Sequence, residues 1–78
     1  MKRLVTYDIK SGNDYSAFYD YVDKVNALQL TESTYLLETT LNQEEFERKI
    51  ISLFSKGDNV HYVTVNEHHN LITIKIPL

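Results

Sequence analysis

The chain has 78 residues, no cysteine, and eight Lys/Arg against eleven Asp/Glu for a formal net charge of −3. That length is one domain; the missing cysteines exclude disulfides and thiolate zinc sites. The acidic balance lacks the basic surplus with which nucleic-acid binders usually displace counterions. No apolar run approaches the ~18–20 residues of a membrane span, and the N-terminus lacks the long apolar stretch of a signal peptide, so a cytoplasmic protein is expected.

Arg3–Ile9 is a short β-rich run that ends at the turn cluster Lys10-Ser11-Gly12-Asn13, and reads as a strand. Asn13 or Asp14 is placed to cap a helix over Asp14–Asn26, whose stripe is Tyr15, Phe18, Tyr19, Val22 and Val25. Ala27–Leu30 reads as a short strand, Thr31-Glu32-Ser33 as an interruption, and Ser33–Thr39 as a longer strand. In that strand Tyr35 and Leu37 share one face while Thr34, Leu36 and Glu38 share the other. Apolar residues on both faces predict a central position.

Leu41-Asn42-Gln43-Glu44-Glu45-Phe46 is the clearest local signal. Asn42 as N-cap with Glu45 three residues on predicts a capping box, and Leu41 with Phe46 a hydrophobic staple. A helix over Gln43–Lys56 follows, with Phe46, Ile50, Leu53 and Phe54 as its buried stripe, Lys56 at its negative end and Gly57 as the left-handed residue beyond it. Asn59–Asn66 alternates as a strand, Glu67-His68-His69-Asn70 reads as a turn, and Leu71–Ile76 as a last strand ended by Pro77.

The order β-α-β-β-α-β plus a terminal strand predicts a single α+β domain over residues 1–78, with the ferredoxin-like arrangement of two helices on one face of an antiparallel sheet. The other sheet face then needs a partner, and a homodimer is expected. Leu36, with the row Ile72, Ile74 and Ile76 of the last strand, is the expected interface.

Asp8 is the most informative single residue. It ends a predicted central strand, where aspartate is disfavoured, and shares a face with Leu4 and Thr6. A two-fold axis through the open face would bring two Asp8 carboxylates together, to bind a divalent cation or share a proton. The plainer alternative is a strand-end carboxylate bonded to the turn amides of Lys10–Asn13. Lys2, Arg3 and Lys10 flank the same strand as a thin basic footprint. His68-His69 fits an exposed turn better than a metal site, because neighbouring strand residues point apart. Tyrosines 15, 19, 21, 35 and 62 could stack on bases, but Tyr15 and Tyr19 lie on the helical stripe and are expected in the core. Gly12 and Gly57 are the only glycines, so no phosphate loop can be built.

Leu4-Val5-Thr6-Tyr7-Asp8-Ile9, then Asp14-Tyr15, then Glu32-Ser33-Thr34-Tyr35-Leu36-Leu37, resembles the CRISPR-associated protein 2 superfamily, in the branch called SinR-like with VapD-like toxins as relatives. The resemblance runs from Arg3 to about Val65. It implies a ferredoxin-like homodimer with its sheets face to face and Asp8 of each subunit near the dyad. It further implies a metal-dependent endonuclease, RNA before DNA, in which Asp8 is the catalytic residue and the ligand of Mg2+ or Mn2+. The alternative is a non-catalytic dimeric adaptor or regulator that binds a protein or nucleic-acid partner. The acidic first helix, with Asp14, Asp20 and Asp23 against Lys24, points toward that second reading.

Overall fold

The computed structural model describes residues 1–65. The expected turn with His68 and His69, and the expected strand carrying Ile72, Ile74 and Ile76, lie outside the described residues. The elements are β1 (Lys2–Asp8), α1 (Ser16–Lys24), β2 (Leu28–Thr31), β3 (Thr34–Glu38), α2 (Gln43–Leu53) and β4 (Asn59–Val65). They form a small α+β structure around one four-stranded sheet in the order β2-β3-β1-β4, every neighbouring pair antiparallel. The first strand and the Thr34–Glu38 strand are central, as their two-sided apolar pattern predicts.

Strand parity divides the sheet. Arg3, Val5 and Tyr7 of β1 stand beside Tyr35 and Leu37 of β3 and Tyr62 and Val60 of β4. This set meets Phe18 and Val22 of α1 and Phe46 and Ile50 of α2 in a single core. The other parity forms the open face. There Leu28, Leu36, Leu4 and Val63 lie in one cross-strand row, with Leu4 and Leu36 half-buried and Leu28 and Val63 exposed. Thr34, Thr6 and His61 form the next row, and Asp8 beside Asn59 the one after.

The two helices are built differently. Asn42 accepts the Glu45 backbone N–H at 2.9 Å, and the Glu45 carboxylate accepts the Asn42 N–H at 3.1 Å, which completes the expected capping box of α2. This helix stops at Leu53, three residues short of Lys56, so no basic residue occupies its last turn. The cause is Phe54, which turns extended and packs its ring 4.9 Å from that of Phe18 and 6.1 Å from that of Tyr7. Gly57 does have positive φ, at 97°, but in the turn beyond the helix rather than as its C-terminal residue.

Helix α1 is shorter than Asp14–Asn26, and neither Asn13 nor Asp14 is its N-cap; Tyr15 holds that position with no side-chain cap. Asp14 instead accepts the backbone N–H and the hydroxyl of Ser16 at 2.8 and 2.7 Å, which holds its carboxyl below the usual carboxylate range. At the other end Asn26 takes the left-handed conformation, φ 55°. Ala27 N–H donates to the Val22 carbonyl and Asn26 N–H to that of Asp23, a Schellman ending that stops the helix. The stripe expectation fails for two of its five residues: Tyr15 is 60% and Tyr19 37% exposed. Tyr15 precedes the helix, and Tyr19 sits at the edge of the face that Phe18 and Val22 bury.

Candidate active site at the end of the first strand

Tyr7, Asp8, Ile9, Lys10, Ser11, Gly12, Asn13, Tyr15, Tyr19, Glu32 and Ser33 line a cavity of about 600 Å3, within the size range of small-ligand sites. Three sequence segments meet there. The β1–β3 register pairs Lys2 with Glu38 through to Thr6 with Thr34, and the Tyr7 N–H to Ser33 carbonyl bond of 3.0 Å extends it. Glu32 and Ser33 form the turn between β2 and β3, and both line the same cavity as Asp8. Tyr7, Asp8 and Ile9, then Tyr15, then Glu32 and Ser33, far apart in sequence, all line this cavity.

Asp8 is exposed, on the open-face side of β1. Its carboxylate has no hydrogen-bond or ion-pair partner among the described residues. The role of a turn-amide acceptor, one of the two expectations for Asp8, belongs to Asp58. That residue accepts the Lys10 backbone N–H at 2.8 Å, the Asn13 amide at 2.8 Å and the Ser55 N–H at 2.8 Å. These bonds, the Asn13 amide foremost, hold the Asp58 carboxyl below the usual range. Asn13 also donates to the Lys56 carbonyl at 2.9 Å, so the β1–α1 loop is tied to the α2–β4 loop. The Lys10 stem lies over Gly57, where a Cβ would come within 2.6 Å of Lys10 Cδ.

The back of the cavity is aromatic. Tyr7 is buried, 4.6 Å centroid to centroid from Phe18. Its hydroxyl lies 2.9 Å from the Glu32 carbonyl oxygen and 3.0 Å from the Tyr19 hydroxyl. A carbonyl can only accept, so the one Tyr7 proton goes to Glu32 and Tyr19 supplies the proton shared by the two phenols. Burial first, and the Tyr19 bond second, push the Tyr7 hydroxyl well above the usual phenol range. Tyr7 is thus a fixed neutral brace, which leaves Tyr19 oriented with oxygen lone pairs free of that bond.

The expected basic footprint separates. Lys10 lines the cavity. Lys2 stands at the far end of β1, six residues and about 20 Å from Asp8 at ~3.4 Å per residue. Arg3 is not a nucleic-acid contact: it is 2% exposed and faces the helices. Its guanidinium bonds the Thr64 hydroxyl and donates to the Leu41 carbonyl at 3.3 Å. It also lies 5.3 Å from the Phe46 ring centroid and 5.9 Å from that of Tyr62. Its Nε has no partner among the described residues. Leu36 is on the open face, in the row with Leu4.

Among the described residues no three His, Cys, Asp or Glu side chains gather as a metal-binding cluster. What the cavity offers is Asp8 and Glu32, hard oxygen donors of the kind Mg2+ and Mn2+ prefer. Mg2+ commonly uses one or two carboxylates and completes its shell with water and substrate phosphate, so this donor set fits such an ion. Glu32 is a cavity residue that the sequence did not single out, and Tyr15 and Tyr19 line the cavity although the helical stripe placed them in the core. The Glu32-Ser33 segment was visible as part of a motif, but its place in the same cavity as Asp8 depends on how the strands assemble. Among the described residues no helix is long and apolar enough to cross a membrane. No family model and no curated protein matches the chain.

Proposed function

We propose that this chain is a ferredoxin-like homodimer of the CRISPR-associated protein 2 type, in the SinR-like and VapD-like branch, acting in the cytoplasm as a divalent-metal-dependent endoribonuclease through Asp8 of each subunit. The observation that carries the reading is an exposed carboxylate, spared from the turn by Asp58, on the wall of a cavity built from the three segments that resemble the family. The strand order β2-β3-β1-β4 with all pairs antiparallel is compatible with the ferredoxin-like arrangement. The apolar row Leu28, Leu36, Leu4 and Val63 supports pairing of two open faces, which would place both Asp8 side chains on the same side of a shared interface.

Asp8, with Glu32 on the lining of the same cavity, would hold the cation, which when bound polarises a phosphoryl oxygen and lowers the pKa of a water. Lys10 is set to attract the phosphate next to that carboxylate. The Asp58 bonds to Lys10 and Asn13 keep this loop in place when substrate arrives. The test is cleavage of end-labelled single-stranded RNA in Mg2+ or Mn2+. Loss of cleavage in Asp8→Asn and in excess chelator is expected; cleavage unaffected by Asp8→Ala overturns the reading.

The second reading, a non-catalytic dimeric adaptor or regulator, is favoured by the same apolar row taken with the absence of a three-ligand cluster among the described residues. It gains if the protein dimerises and retains a partner with no nuclease signal.

A further inference from the structure

We infer that Tyr15 and Tyr19 form a nucleobase-stacking shelf beside Asp8, so that the cavity takes one base of a single-stranded RNA. The inference rests on the endoribonuclease reading and names how that site holds its substrate.

Two large aromatic side chains are left out of the core where burial was available to their neighbours: Tyr15 is 60% and Tyr19 37% exposed, against 0% for Phe18. Their rings meet edge to face at 5.6 Å, and both line the cavity. The Tyr19 ring is held further by a T-shaped contact with Tyr7 at 6.2 Å and by the phenol-to-phenol hydrogen bond. A ring fixed in advance loses little freedom when a flat ligand lies on it. The remaining lining then selects among flat ligands. It carries two carboxylates, Asp8 and Glu32, and one cation, Lys10. A purely apolar aromatic group would leave those carboxylates with nothing to accept. A lone phosphate would meet one cation and two anions. A base can lay its π-face on one of these two perpendicular rings and meet the other at its edge, offers N–H donors to the acceptors, and carries a backbone phosphate for Lys10. About 600 Å3 accommodates one nucleotide, not a duplex.

The experiment uses a single-stranded RNA hexamer containing 2-aminopurine, titrated with the full chain in excess chelator so that no cleavage occurs. Stacking is expected to quench the 2-aminopurine emission. Tyr15→Leu is expected to weaken binding about 5- to 150-fold, while Tyr15→Phe stays within about threefold of the parent because the π-face is kept. Thermal melting checks that the variants are folded, which the exposure of Tyr15 favours. No quenching with the parent chain, or undiminished quenching with Tyr15→Leu, overturns the shelf. Cleavage in Mg2+ or Mn2+, measured separately, separates the two readings. Cleavage without quenching removes the shelf and leaves the nuclease. Quenching with no cleavage under any divalent cation removes the nuclease and leaves a base-binding module.

Discussion

The two ends of β1 carry opposite solutions to the same problem, a charged side chain on a central strand. Arg3 lies on the helix-covered parity, is 2% exposed, and is held by a hydroxyl, a carbonyl and two aromatic rings, with its Nε left unpartnered among the described residues. Asp8 lies on the open parity, exposed and unpaired among the described residues. A buried charge without hydrogen bonds is costly, so Arg3 has become part of the core and its long stem part of the packing. An exposed carboxylate loses nothing by waiting for a cation or a donor. Five residues apart, one charge serves stability and the other is available for chemistry, and the parity of the strand decides which.

The sharpest way to break that comparison is truncation at both ends. Arg3→Ala removes two hydrogen bonds and two ring contacts from a closed core, and is expected to cost about 2–4 kcal/mol. For a chain of this size that lowers Tm by more than about 10 °C. Asp8→Ala is expected to stay within about 0.5 kcal/mol. Thermal melts followed by circular dichroism read both; similar losses at the two positions would mean that Asp8 is structural after all.

The next comparison sets the open face against the covered one. Val63→Arg places a charge in the apolar row at a site 57% exposed. The monomer should keep its stability within about 0.5 kcal/mol, while self-association weakens at least about tenfold, or ~1.4 kcal/mol. Sedimentation of both chains at tens of micromolar checks it. A parent chain that is already monomeric would remove the open face as an interface, and with it the paired Asp8 arrangement.

Parity also explains what was legible in the sequence. The alternation of Val5, Tyr7, Tyr35 and Leu37 against Leu4, Thr6, Asp8 and Leu36 needs only the period of a strand, and the structure follows it. Arg3 shares the Val5 and Tyr7 parity, so its burial was readable too; grouping it with Lys2 and Lys10 by residue type, rather than by face, hid that. Asn42 and Glu45 signal a helix start through bonds spanning three residues. Tyr15 is misplaced because the apolar spacing runs past the true start of α1, and Tyr19 because spacing alone does not separate the middle of a buried face from its edge. Asp58 was invisible as the anchor of Lys10 and Asn13, whose contacts span 48 and 45 residues. That Glu32 lines the same cavity as Asp8 likewise depends on the assembled sheet, which brings the β2–β3 turn to the end of β1.

The two helices allow a smaller test. Removing the capping box of α2 with Asn42→Ala is expected to cost about 1 kcal/mol, or roughly 4–8 °C in Tm. Because Tyr15 offers α1 no side-chain cap, Tyr15→Leu should change stability little by comparison. A larger loss at Tyr15 than at Asn42 would show that its ring matters to folding, and would weaken its assignment as a shelf for a base.

The smallest effect concerns the carboxylate that frees Asp8 from the loop. Asp58 accepts the bonds from Lys10, Asn13 and Ser55 most strongly while ionised, and its folded-state pKa lies below the ordinary value. A lowered folded pKa means that the unfolded chain binds this proton first as pH falls. The stabilisation is therefore complete above the unfolded value of ~3.9 and is lost as pH drops through the folded one. Asp14 and Glu38, also lowered, by Ser16 and by the Met1 amino group at 2.7 Å respectively, add to the same acid limb. Asp58→Asn should flatten that limb without removing it, and at neutral pH should loosen the Lys10–Asn13 loop, which on the proposed ribonuclease reading raises the KM for RNA more than it lowers kcat. Melts between pH 7 and 2.5 for the two chains give the first readout, and steady-state cleavage the second. An acid limb identical in Asp58→Asn and the parent would show that the loop is held by something other than this carboxylate, and that the division of labour between Asp58 and Asp8 is wrong.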